Sequence, residues 1–166
     1  MKIYIIGSVA SGKTTLAKKI SSKNKIDYYE IDSIVYDDLN KRKRKLEEQI
    51  DIINKINKSD NWIIEGTLRK NLYFLLDLAD KIIYLNIPLN KRKRRIFTRF
   101  IKQKIGIEKC NYKPDINILK MMYKWTNDFE REKNIFEKKL SKYNEKLVIL
   151  SDVNKECFDS VYNKPI

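Results

Sequence analysis

The sequence predicts a three-layer α/β fold, a parallel and five-stranded sheet with helices on both faces. Three observations lead there. Short runs rich in Ile, Val and Tyr alternate with segments of helical period. A glycine-bearing loop, GSVASGKT, separates the first apolar run from the first helical segment. The 166 residues, 42% apolar and 35% charged, suit one globular domain spanning 1–166.

Strands are expected at residues 2–6, 28–32, 62–65, 81–86 and 146–150, each a short run of strand-favouring residues. Helices are expected at 13–22, 41–57 and 68–78, and along a stretch from 89 to 143. Within that stretch Ile118, Met122, Trp125, Phe129, Phe136 and Leu140 recur at helical spacing, the pattern of a face packed on a core. Residues 101–115, IKQKIGIEKCNYKPD, hold the Gly and Pro of the region. They read as an irregular insert between two helices, so a lid is expected at about 100–125.

Composition removes several chemistries. Without histidine there is no Ser-His-Asp triad, no imidazole base and no histidine-ligated zinc. Two cysteines, Cys110 and Cys157, are too few for a disulfide framework. No apolar run approaches the roughly 20 residues that span a bilayer. The apolar run before Gly7 is too short for an export signal, so a cytoplasmic location is expected. The net charge of +14 is spread along the chain, as on a solvated surface. Its two dense blocks, residues 41–45 and 91–95, are expected on helices, which would spread consecutive side chains around the circumference. DNA contact through them is the runner-up reading.

The stretch Gly7-Ser8-Val9-Ala10-Ser11-Gly12-Lys13-Thr14 fits G-x-x-x-x-G-K-[ST] at every position, and Thr15 follows it into the helix. Such a loop turns its amides toward phosphate oxygens at the positive end of a helix. Lys13 would sit between the β- and γ-phosphates, and Thr14 would offer its hydroxyl to Mg²⁺. ATP and Mg²⁺ are therefore the expected cofactors. A GTPase reading has one foothold, Asn57-Lys58-Ser59-Asp60, which fits N-K-x-D. That match precedes a strand, and no D-x-x-G occurs in the chain, so it reads as a polar turn. A nucleotide-binding module without turnover stays open.

Later segments narrow the class. Trp62–Gly66 with the following Thr67-Leu68-Arg69, then IIYLNIP at 82–88 and RIFTR at 95–99, occur in order. They resemble the third strand, fourth strand and lid entrance of adenylate-kinase-like enzymes. The segments IDSIVYD, WIIEGTLRK and YKPDI and a Trp-containing helix resemble the DNA topology modulation, or FlaR-related, group of that class. The resemblance implies a P-loop NTPase fold of nucleotide-kinase type with a helical lid. It implies an ATP/Mg²⁺-dependent kinase acting on a nucleotide, nucleoside or similar small acceptor, as a monomer.

The resemblance also implies roles. Lys13 is the phosphate-loop lysine. Glu65, where the class usually has Asp, orients a water of the Mg²⁺ shell or is a plain strand-end carboxylate. Asp32 ends the second strand near the metal or the acceptor hydroxyl, or else caps a turn. Gly66 and Arg69 lie at the acceptor. Arg95 and Arg99 neutralise the transferring phosphoryl group, and Arg131 does so from the far side of the lid. A zinc-held lid is not available, since its region has one cysteine and no histidine.

Overall fold

In the computed structural model, residues 1–37, 40–108 and 114–152 are described. Cys110, Cys157 and the middle of the expected lid insert lie outside them. The chain runs β1 (Lys2–Gly7), α1 (Lys13–Asn24), β2 (Tyr28–Glu30), α2 (Ile31–Val35), β3 (Tyr36–Asp37), β4 (Arg42–Lys43) and α3 (Leu46–Asn57). It continues with β5 (Trp62–Gly66), α4 (Phe74–Leu78), β6 (Lys81–Leu85), α5 (Leu89–Lys104), α6 (Ile116–Leu140) and β7 (Leu147–Leu150). The five expected strands form one parallel sheet in the order β2-β5-β1-β6-β7.

Both faces of the sheet are covered, which is why its strands read as unbroken apolar runs. Alternation along β1 sends Tyr4 and Ile6 to one core with Ile31, Ile53, Leu75 and Leu140 of α2, α3, α4 and α6. Ile3 and Ile5 go to the other core, with Leu16, Ala17 and Ile20 of α1. Register then places the site. Ile5 pairs with Glu65 and Ile6 with Gly66, while Gly7 pairs with Leu85. The ends of β5 and β6 therefore flank the loop that leaves β1.

Three expectations change before β6. The second strand stops at Glu30, so Asp32 lies in the first turn of α2 and not at a strand end. Residues 41–44 are not helical. Lys41 takes a left-handed φ of 48°, Arg42 and Lys43 pair with Asp37 and Tyr36 as a two-residue ladder, and α3 starts only at Leu46. Glu48 sets that start, because its carboxylate accepts from the Lys45 amide at 2.7 Å. Leu68 is not helical, Arg69 is extended, and a 3₁₀ turn at Lys70–Leu72 precedes the short α4.

The stretch from 89 to 143 divides as expected into two helices. Gly106, at φ 78°, closes α5, and the Asp115 carboxylate accepts from the amides of Asn117 and Ile118 to open α6. Only the C-terminal half of the expected apolar stripe meets the core, through Phe129, Phe136 and Leu140. Trp125 is 49% exposed, because the N-terminal half of α6 lies against α5 and buries Leu119 and Thr126 instead. Among the described residues no helix is long and apolar enough to cross a membrane.

Candidate active site

Steric limits shape the loop first. A Cβ on Gly7 would meet the Ser11 hydroxyl at 2.8 Å and the Leu85 carbonyl at 3.1 Å, so the chain turns there only without a side chain. Gly12 takes φ 101° and Ala10 φ 58°, both left-handed. Val9 lies half-buried on the loop between Ser8 and Ala10. α1 opens with no side-chain cap at Gly12. The first-turn amides of Lys13, Thr14 and Thr15 are thereby left as donors for an anion.

The charged groups gather around that loop. The Lys13 ammonium donates to the Ser8 carbonyl at 2.9 Å. Burial pushes its pKa down, while the Glu65 and Asp32 carboxylates oppose that shift. The Thr14 hydroxyl donates to the Glu65 carboxylate in a short hydrogen bond. Glu65 is only 4% exposed. Burial raises its pKa, against the Thr14 bond and the Lys13 charge. A hydroxyl and a carboxylate meeting at one point are hard oxygen donors of the kind Mg²⁺ takes. Among the described residues no group of three His, Cys, Asp or Glu could hold a metal unaided. The pair therefore fits an ion that brings water and nucleotide oxygens with it.

Gly66 has a packing reason of its own. A Cβ there would lie 2.5 Å from Ile31 Cβ, so the glycine lets α2 press against β5. That contact brings Asp32 within 2.7 Å of the Arg69 guanidinium, which also lies over the Tyr36 ring at 5.7 Å. Among the described residues neither the buried Arg69 Nε nor the Tyr4 hydroxyl has a hydrogen-bond partner.

Arginines on α5 approach from the other side. Arg95 donates to the Ser11 carbonyl at 2.9 Å and to that of Ala10 at 3.3 Å. Arg99 pairs with Glu108 at 3.0 Å, beyond the end of its helix. Arg131 is brought to no such position: it is 81% exposed and pairs with Asp128 one turn back. Lys91, Arg94, Arg95, Thr98, Arg99 and Lys102 share one face of α5, which with Glu108 lines a cavity of about 430 Å³. The expectation that no basic stripe forms is thus corrected. Consecutive residues do scatter around the helix, but the run extends at helical spacing. The block at 41–45 is committed to structure instead. Arg42 is bidentate to Glu48, and Arg44 donates to the carbonyls of Ser33, Ile34 and Tyr36.

Arg92 was missed in the sequence, hidden in the block 91–95. It is 1% exposed and reaches the Ser8 hydroxyl at 2.8 Å. The one signal that could have found it is its register: on α5 it lies four residues before Ile96, on the face turned to the protein.

No family model matches the chain. It is 28% identical over 137 residues to a shikimate kinase of Clostridium botulinum (strain Okra / Type B1), covering 74% of this chain and 78% of that protein. It is 35% identical over 115 residues to a cytidylate kinase of Sulfolobus acidocaldarius, covering 60% of this chain and 62% of that one. In structure it is similar to a deoxyadenosine kinase from M. mycoides with bound dATP. The TM-score there is 0.58 at 15% identity, over 99% of this chain and 98% of the other. The last likeness shows the fold, that of P-loop kinases. The sequence relatives are kinases of small molecules, and the chain is with them a phosphotransferase acting on a small molecule. The acceptors named for these relatives differ from one another, and none is carried over with the fold.

Proposed function

We propose that the chain transfers the γ-phosphoryl group of ATP, with Mg²⁺, to a small acceptor of nucleoside or nucleotide type. The observation that carries this is the Thr14–Glu65 hydrogen bond beside Lys13, at a loop whose following helix has no side-chain cap. Bound Mg²⁺ would supply charge neutralisation at the β- and γ-phosphates. In this reading Gly7 to Thr15 hold the phosphates, Thr14 and Glu65 orient the ion, and Lys13 and Arg95 offset the triphosphate charge. Arg99 leaves Glu108 to meet the transferring group. Asp32 and Arg69 face the acceptor, Asp32 accepting from a hydroxyl and Arg69 donating to an anionic or carbonyl group. Closure of the segment between α5 and α6 would exclude water and so limit hydrolysis.

The FlaR-related group is the finer placement we favour, on the segments IDSIVYD and WIIEGTLRK. The basic face of α5 gives the second reading, contact with DNA, its one foothold. The test of the acceptor is ADP release from ATP against nucleosides, nucleoside monophosphates, shikimate and other small hydroxylated acids. Turnover with a nucleoside or nucleotide supports the reading. Turnover with the hydroxy acids alone overturns the acceptor assignment, and turnover with none of them favours a binding module.

A further inference from the structure

Arg92 is placed unlike every other arginine of the basic run. Its guanidinium is fully buried on α5 and makes three hydrogen bonds in three directions. Nε donates to the Ile87 carbonyl at 2.8 Å, at the turn from β6 into α5. One Nη donates to the Ser8 hydroxyl at 2.8 Å, across 84 residues of sequence. The other donates to the Glu130 carboxylate of α6 in a short hydrogen bond, and the group lies over the Phe129 ring at 5.6 Å. A lysine ammonium on a single stem could not hold this planar fork. Ser8 is in turn held at two points, its hydroxyl by Arg92 and its carbonyl by Lys13.

We propose that Arg92 is a positioning residue of the phosphate loop, fixing Ser8 in register with α6 so that the loop's amides and Lys13 are set for a polyphosphate. The inference rests on the ATP reading above. Its physical content is pre-organisation. A loop with two left-handed residues has many alternative shapes, and a cross-brace to a buried cation removes them before the ligand arrives. The brace also ties the loop to α6, so a shift of α6 is felt at Ser8. The simpler role, a staple that only stabilises the fold, predicts a different result.

Titration calorimetry with MgATP, paired with thermal unfolding, separates the two on the wild type, Ser8→Ala, Arg92→Lys and the double variant. Ser8→Ala removes only the hydroxyl and leaves the bonds to Ile87 and Glu130 in place, so its unfolding midpoint is expected to fall only modestly, with the protein folded at the titration temperature. Each single variant is expected to bind ATP about 10-fold more weakly, equivalent to about 1.4 kcal/mol. The double variant should be no more than about 3-fold weaker than the worse single one, because both remove the same bond. Wild-type affinity in Ser8→Ala, or losses that multiply in the double variant, overturns the proposal. If Arg92→Lys does not fold, the affinity of Ser8→Ala decides alone. A wild type that binds no ATP overturns the ATP reading and this inference with it.

Discussion

Glu65 shows how one side chain carries both the fold and the chemistry. As the residue paired with Ile5 it belongs to a fully buried strand, and burial there raises its pKa. In the proposed reading, as the partner of the Thr14 hydroxyl, it is ionised to orient a cation. A carboxyl with a raised pKa stays protonated to a higher pH, so activity is lost on acidification sooner than for an ordinary carboxylate. The acidic limb of kcat/KM, which reports the free enzyme, is therefore expected above the usual carboxylate range of about 4. Glu65→Gln should remove that limb and lower kcat across the profile. An acidic limb at the ordinary value in the wild type would detach Glu65 from the reaction.

α5 and α6 carry most of what the sequence did not make legible. Their existence follows from period and from the Gly and Pro of residues 101–115, and the loop between β1 and α1 follows from its motif. Three things did not. The pairing of Tyr36–Asp37 with Arg42–Lys43 comes with a left-handed Lys41, which no propensity favours. The exposure of Trp125 depends on which face of α6 turns to α5, a tertiary quantity absent from its period. The burial of Arg92 depends on which face of α5 turns inward, and a run of five cations gives no hint of it. Asp32 and Arg69, 37 residues apart in sequence, are brought together by the close approach of α2 at Gly66. At this scale the test is Arg99, which stands at the far end of α5 from the β6 turn and touches Glu108 rather than the loop. If α5 delivers it to the transferring group, Arg99→Ala should lower kcat by about 10²-fold, as for loss of one transition-state donor. The dissociation constant for ATP should change little. A variant that turns over normally would leave Arg99 a surface arginine.

The whole molecule carries a net charge of +14, yet its cations are not equivalent. Those at 42 and 44 are tied to Glu48 and to backbone carbonyls, while those on α5 line an open cavity beside the loop. Any nucleic-acid contact should therefore respond to charge removal on α5 and barely to changes at 42 or 44. Non-specific backbone contacts release counterions, so DNA affinity is expected to fall steeply and to be lost by about 0.2 M salt, where ATP binding persists. Salt-resistant DNA affinity would put the nucleic-acid reading first. Above these contrasts stands the claim that the loop at Gly7–Thr14 moves a phosphoryl group. Transfer of labelled γ-phosphate from ATP to an acceptor mixture measures it, comparing the wild type with Lys13→Ala. The wild type should label an acceptor. Lys13→Ala, having lost a charge-assisted phosphate contact of roughly 1.5–3 kcal/mol, should bind ATP about 10- to 150-fold more weakly and transfer correspondingly less at limiting ATP. Equal transfer by the two proteins would contradict the account.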